Sequence, residues 1–217
     1  MTKILAIETS TQNCSVSIQG DGCDILVEQL APQQHAQLIL PMVDSALKQA
    51  ELSPSDIDYL AFGQGPGAFT GLRIAAGVVQ GLSLGWNKPV IGVSSLQALA
   101  YQGFVQTGLT EWSAIMDARM QEIYVENLTF DPQGRILSSS EPILVPLDGL
   151  DALNWFANGI GDVFESLPEF QQKFTHHIMA YPSAKPLAIL ASQYLDRACD
   201  LSEAMPQPIY LRASVTN

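Results

Sequence analysis

The spacing of apolar and polar positions changes several times in the first hundred residues, and each change predicts an element. "KILAIETSTQNCSVSIQGDGCDILVEQL" reads as three strands. "ILAI" is a short apolar run, "CSVSI" alternates with period two, and "GDG" turns the chain into "DILVEQL". Helical spacing takes over at 34–50. There Ile39, Val43, Ala46 and Ala50 share one apolar face, while Leu38 and Met42 project from another. "IDYLAFG" predicts a buried strand, 70–86 a helix, "PVIGVS" a further strand, and the stretch from about Ser95 to Gln102 a helix.

The opening pattern returns after residue 110. "SAIMDARMQEIYVENLTFDPQGRILSSSEPILV" gives an apolar strand, an acid at Asp117, a polar turn, a strand, a turn and a third strand. Glu8 and Asp117 hold matching places at the ends of the first strands. The repeat predicts an α/β protein of two lobes with the same β-β-β-α-β-α-β plan, facing each other across a cleft. The lobes are expected at 1–105 and 106–217. Helices are expected near 149–157 and 184–198.

"GQGPGAFTGLRIAAGVVQGLSLGW" (63–86) is the unusual stretch. Its glycine-rich start resembles a phosphate loop, with Thr70 as N-cap, but it lacks the lysine of a P-loop and only approaches GxGxxG. Arg73 then falls in the first turn, where the helix dipole disfavours a cation, so a carboxylate or a bound anion is expected beside it. Gly77, Gly81 and Gly85 recur every four residues, with Ile74, Val78 and Leu82 as an apolar stripe beside them. Each glycine costs about 1 kcal/mol of helix stability relative to alanine, a cost that makes sense where another backbone comes close. With helix 34–50, this helix carries more apolar surface than one sheet needs. Both helices either lie deep in the core or meet another chain, and the second reading is preferred.

In the first hairpin, Glu8, Thr9, Ser10 and Thr11 either form an ordinary polar turn or hold a hydrated metal and nucleotide phosphates. His35, His176 and His177 form no metal-ligand spacing, and no GxSxG or Cys/His nucleophile pattern occurs. His35 is expected to serve as a local hydrogen-bond partner at the start of its helix.

Composition narrows the classes further. Apolar residues make up 47% and charged ones 15%, a low polar share that suits a surface covered by a partner. The net charge of −12, with only ten Lys and Arg, argues against direct nucleic-acid binding by this chain alone. Cys14, Cys23 and Cys199 form no CxxC pair and suggest a reducing cytoplasm. The start of the chain reaches Glu8 after too few apolar residues for a signal peptide, and 74–86 is too short to span a membrane.

"ILAIETSTQNCSVSI", "HAQLILPMV", "FGQGPGAFTGLRIAAGVVQGL", "KPVIGVSSLQALA" and "PQPIYLR" together resemble the bacterial TsaB (YeaZ) family over nearly the whole chain. The resemblance implies the ASKHA architecture of two ribonuclease-H-like lobes with mixed sheets. It also implies a part in making threonylcarbamoyladenosine beside the tRNA anticodon, with the catalytic paralogue TsaD and the ATPase TsaE. Where TsaD carries two metal-binding histidines, this chain has Ser95 and Leu99. The implied role is a partner subunit without catalytic residues, metal or cofactor, paired with itself when alone and meeting tRNA only through the complex.

His35, Leu38, Met42, Arg73, Ile74, Gly77, Val78, Gly81 and Gly85 are then expected at the partner or dimer interface. Glu8, Thr9, Ser10, Gly65, Gly67 and Thr70 are expected to outline a vestigial nucleotide site. The rival is an active ASKHA-type ATPase or small-molecule kinase using Glu8, Thr9, Ser10 and the 63–71 loop. A glycopeptidase-like peptidase ranks below it.

Overall fold

A computed structural model describes residues 2–200 and 207–212. The first sheet contains β1 (Ile4–Glu8), β2 (Asn13–Gly20), β3 (Cys23–Leu30), β4 (Tyr59–Gly65) and β5 (Val90–Ser94). Its order is β3-β2-β1-β4-β5, with β1–β3 an antiparallel meander and β4 and β5 added in parallel. The second sheet contains β6 (Glu111–Arg119), β7 (Glu122–Phe130), β8 (Ile136–Ser139), β9 (Ile143–Pro146), β10 (Asn158–Gly161) and β11 (His176–Met179). Its order is β11-β10-β6-β7-β8, with β9 also pairing β7. The two sheets therefore repeat one plan: an antiparallel run on one side of the first strand and parallel additions on the other. These are the two mixed sheets that the ASKHA resemblance implies.

Helices α1 (His35–Ala50) and α2 (Phe69–Trp86) cover one face of the first sheet. Leu5, Ile7, Val16 and Ile18 from the strands meet Ile39, Val43 and Ala46 of α1 and Ala75, Ala76 and Val79 of α2 there. The opposite face holds α3 (Ser95–Thr107) and α5 (Ala184–Ala191), packed between the sheets. Ile4, Ala6, Ala61 and Ile91 share that core with Leu99, Trp112, Ala114 and Leu187. The short α4 (Val163–Ser166) covers the outer face of the second sheet with Phe170 and Phe174, against Ile115 and Ile123.

Local chemistry explains the ends. The Ser94 hydroxyl accepts the amide of Gln97 at 3.3 Å and starts α3. Asn87 ends α2 in the left-handed conformation that asparagine tolerates.

Three expectations need correction. Thr70 is not the N-cap of α2: Ala68 is, and Thr70 lies exposed in the first turn. The helix expected near 149–157 is a 3-10 helix over Leu147–Ala152, since Pro146 and Gly149 favour a tighter, shorter turn. That expected at 184–198 ends at Ala191, with a 3-10 turn at Leu195–Arg197.

Candidate functional site

The polar end of β1 is closed by its own neighbours. Glu8 is fully buried. Its carboxylate accepts the Ser10 amide at 2.6 Å and the Ser95 hydroxyl at 2.8 Å. Burial raises its pKa, while those hydrogen bonds oppose the rise. The Thr9 hydroxyl donates to the Gly71 carbonyl at 2.8 Å, and the Ala68 amide donates to the Ser10 carbonyl at 2.7 Å. A Cβ on Gly67 would stand 2.6 Å from the Ser10 side chain. The glycine-rich loop is thus stitched to the first hairpin, and one of its amide donors is spent inside the protein.

Beside this closure lies a cleft of about 600 Å³ between the lobes. Thr9, Ser10, Thr11, His35, Gly67, Thr70 and Ile74 form one wall, and Asp117, Arg119, Tyr124 and Asp162 the other. Glu8 and Gly65 are absent from that lining. The cleft therefore lacks the acid expected to hold a hydrated metal.

Asp162, which the sequence reading missed, is half-buried in the cleft wall and accepts the Asp117 amide at 2.9 Å. Burial first, and then the neighbouring Asp117, push its pKa up to about 7. The Ser10 hydroxyl and His35 Nε2 are buried without a hydrogen-bond partner among the described residues. For His35 this replaces the expected local hydrogen bond. Among the described residues, no group of three or more His, Cys, Asp or Glu side chains could hold a metal ion. No described helix is long and apolar enough to cross a membrane.

The second feature is the outer face of α2. Phe69, Arg73, Gly77, Gly81, Leu84 and Gly85 are exposed, and a Cβ on any of the three glycines would enter open space. The helix is therefore not buried all round. Ile74, Val78 and Leu38 are half-buried along the α1–α2 groove, and Leu40 is 53% exposed. Met42 does not project from a second face: it is buried in the core beneath α1, while His35 at the start of that helix is buried at the cleft wall.

No carboxylate pairs with Arg73 among the described residues. Its Nε donates to the Tyr210 hydroxyl at 3.2 Å, and its guanidinium lies 3.9 Å from the Phe69 ring centre. With Ala68 as the N-cap, Arg73 stands beyond the first turn, where the dipole has faded, and the ring and the phenol oxygen are its partners.

Residues 3–140 match the family described as "TsaD: tRNA N6-adenosine threonylcarbamoyltransferase". The chain is 34% identical to the tRNA threonylcarbamoyladenosine biosynthesis protein TsaB of Escherichia coli, covering 98% of this chain and 96% of that protein. It is 35% identical to the TsaB of Haemophilus influenzae, covering 98% and 94%. The chain belongs to the TsaB family. The solved structure of YeaZ from Pseudomonas aeruginosa is 34% identical and superposes with a TM-score of 0.86, covering 97% of this chain and all of that one.

Within the TsaB family frame, the two positions that resemblance to TsaD assigns to metal ligands acquire a clear structural role. The Ser95 hydroxyl ties down Glu8, and Leu99 is fully buried in the core between the sheets. Neither side chain reaches the cleft lining.

Proposed function

We propose that this chain is a non-catalytic partner subunit in the synthesis of threonylcarbamoyladenosine next to the tRNA anticodon. It works with TsaD and TsaE in the cytoplasm, and pairs with itself when alone. The observation that carries this reading is the contrast between its two surfaces. Glu8 is locked inside the protein by Ser95 and Ser10, whereas α2 presents an uncovered face of glycine and apolar side chains. Such a face suits close contact with another helix.

The active ATPase or kinase reading needs Glu8 in the cleft, and the peptidase reading needs an activated nucleophile, whereas the Ser10 hydroxyl and His35 Nε2 of the lining share no hydrogen bond. Co-purification with TsaD, followed by ATP turnover with and without TsaD, tests the proposal. Stable capture of TsaD with no turnover by the isolated chain is the expected result. Binding of ATP by the isolated chain should be about millimolar or weaker. Micromolar binding with turnover lost in Glu8→Ala would overturn it.

A further inference from the structure

Residues 207–212 cross from one lobe to the other. The Ile209 amide donates to the Gln64 carbonyl at the end of β4, at 2.7 Å. Gly65 has φ +108°, and a Cβ there would lie 2.9 Å from the Ile209 carbonyl oxygen. This glycine, expected at a nucleotide site, makes room for the C-terminal segment instead. Leu211 packs on the core between the sheets. The Arg212 guanidinium pairs with the Glu122 carboxylate and reaches the carbonyl of Ala118 at 3.1 Å. The segment is therefore anchored to the first sheet at one end and to the β6–β7 turn at the other.

Between these anchors Tyr210 is left 44% exposed, its ring 5.3 Å from that of Phe69, which is 54% exposed. Arg73 joins both, through the Tyr210 hydroxyl and the Phe69 ring. Phe69 and Arg73 occupy the same four-residue spacing as Gly77, Gly81 and Gly85, so the cluster extends the open face of α2. Tyrosine and arginine are the residue types that most often dominate binding energy at protein interfaces. The chain carries 22 acidic residues against ten Lys and Arg, yet no carboxylate pairs with Arg73 among the described residues. With Nε given to Tyr210, the two terminal nitrogens of this exposed guanidinium face a carboxylate from outside.

We propose that Tyr210, Phe69 and Arg73 form an anchor site, built jointly by α2 and the C-terminal segment. It receives a partner-protein helix that carries an aspartate or glutamate flanked by apolar side chains. The anchor rests on the partner-subunit reading, but it adds the C-terminal segment to the contact and states the chemistry of the occupant.

The test measures affinity for purified TsaD by calorimetry, at about 50 mM and about 500 mM salt. The full chain is compared with Tyr210→Ala, Arg73→Gln and Gly81→Leu, and thermal unfolding and self-association are followed for each. Tyr210→Ala and Arg73→Gln are expected to weaken TsaD binding about tenfold or more. Arg73→Gln should also remove most of the salt dependence, with melting temperatures unchanged. Loss of binding in Gly81→Leu alone, with the other two within about twofold of the parent, would overturn the anchor and leave the helix-face reading standing. Undiminished binding in all three would overturn both. If self-association weakens while TsaD binding is unchanged, the occupant is a second copy and the stated partner is wrong. Weaker binding of Tyr210→Ala that merely tracks a lowered melting temperature would make the segment structural and also overturn the anchor.

Discussion

Asp162 is a half-buried carboxyl in the cleft wall beside Asp117, with Arg119 and Tyr181 as the other charged or titratable neighbours. Its pKa in the folded chain, about 7, lies above the unfolded value of 3.8. The folded state therefore keeps a proton that the unfolded state has released. The contribution of Asp162 to stability is fullest below about pH 4 and falls as the pH rises towards 7, by up to about 4 kcal/mol. Asp162→Asn keeps an oxygen for the Asp117 amide and removes the titration. The variant should melt well above the parent at pH 8 and close to it near pH 4. Equal differences at both values would show that Asp162 does not titrate in this range. The sequence could not reveal this residue, because a lone acid after "NGIG" has no periodic signature. Its burial follows from packing between β10 and β6. The contact between Arg73 and Tyr210 was illegible for a related reason: the two residues lie 137 positions apart. A helix-dipole argument with Thr70 as the cap predicts that a partner is needed, and cannot predict that a phenol will serve.

At the scale of elements, periodicity was a good guide. The three opening strands and helices α1 and α2 lie within a residue or two of the predicted spans, because each buries a regular apolar face. The second lobe was harder to read after residue 147. Its short elements, such as α4 and the 3-10 turns, carry too few residues for a period to show. Met42 was misplaced because α1 buries a broader arc than a single stripe.

On α2 the glycine pattern supports a direct test. Leucine at position 81 would enter open space in the isolated chain. Helix propensity then favours Gly81→Leu by up to about 1 kcal/mol. At a close helix contact the added bulk costs about 1–3 kcal/mol. The expected outcome is a folded monomer with an equal or higher melting temperature that neither pairs nor captures TsaD. Analytical ultracentrifugation of a variant that remains dimeric would sink the interface assignment.

For the molecule as a whole, charge sets what it can approach. A net charge of −12 repels a phosphate backbone at long range, and the few basic side chains are scattered. The isolated chain should leave tRNA unshifted in a native gel at physiological salt. A shift that disappears at higher salt would mean that a basic surface has been overlooked.

The bare face of α2 has one further consequence, which concerns exchange between partners. Ordering a long side chain at an interface costs about 0.5–1.5 kcal/mol, whereas a glycine has no rotamer to freeze or refit. The contact proposed at Gly77, Gly81 and Gly85 could therefore be remade against a different helix without rearranging these positions. Which neighbour occupies the face would then depend on relative concentrations, and the self-paired form would act as a reservoir released by mass action as the other subunit accumulates.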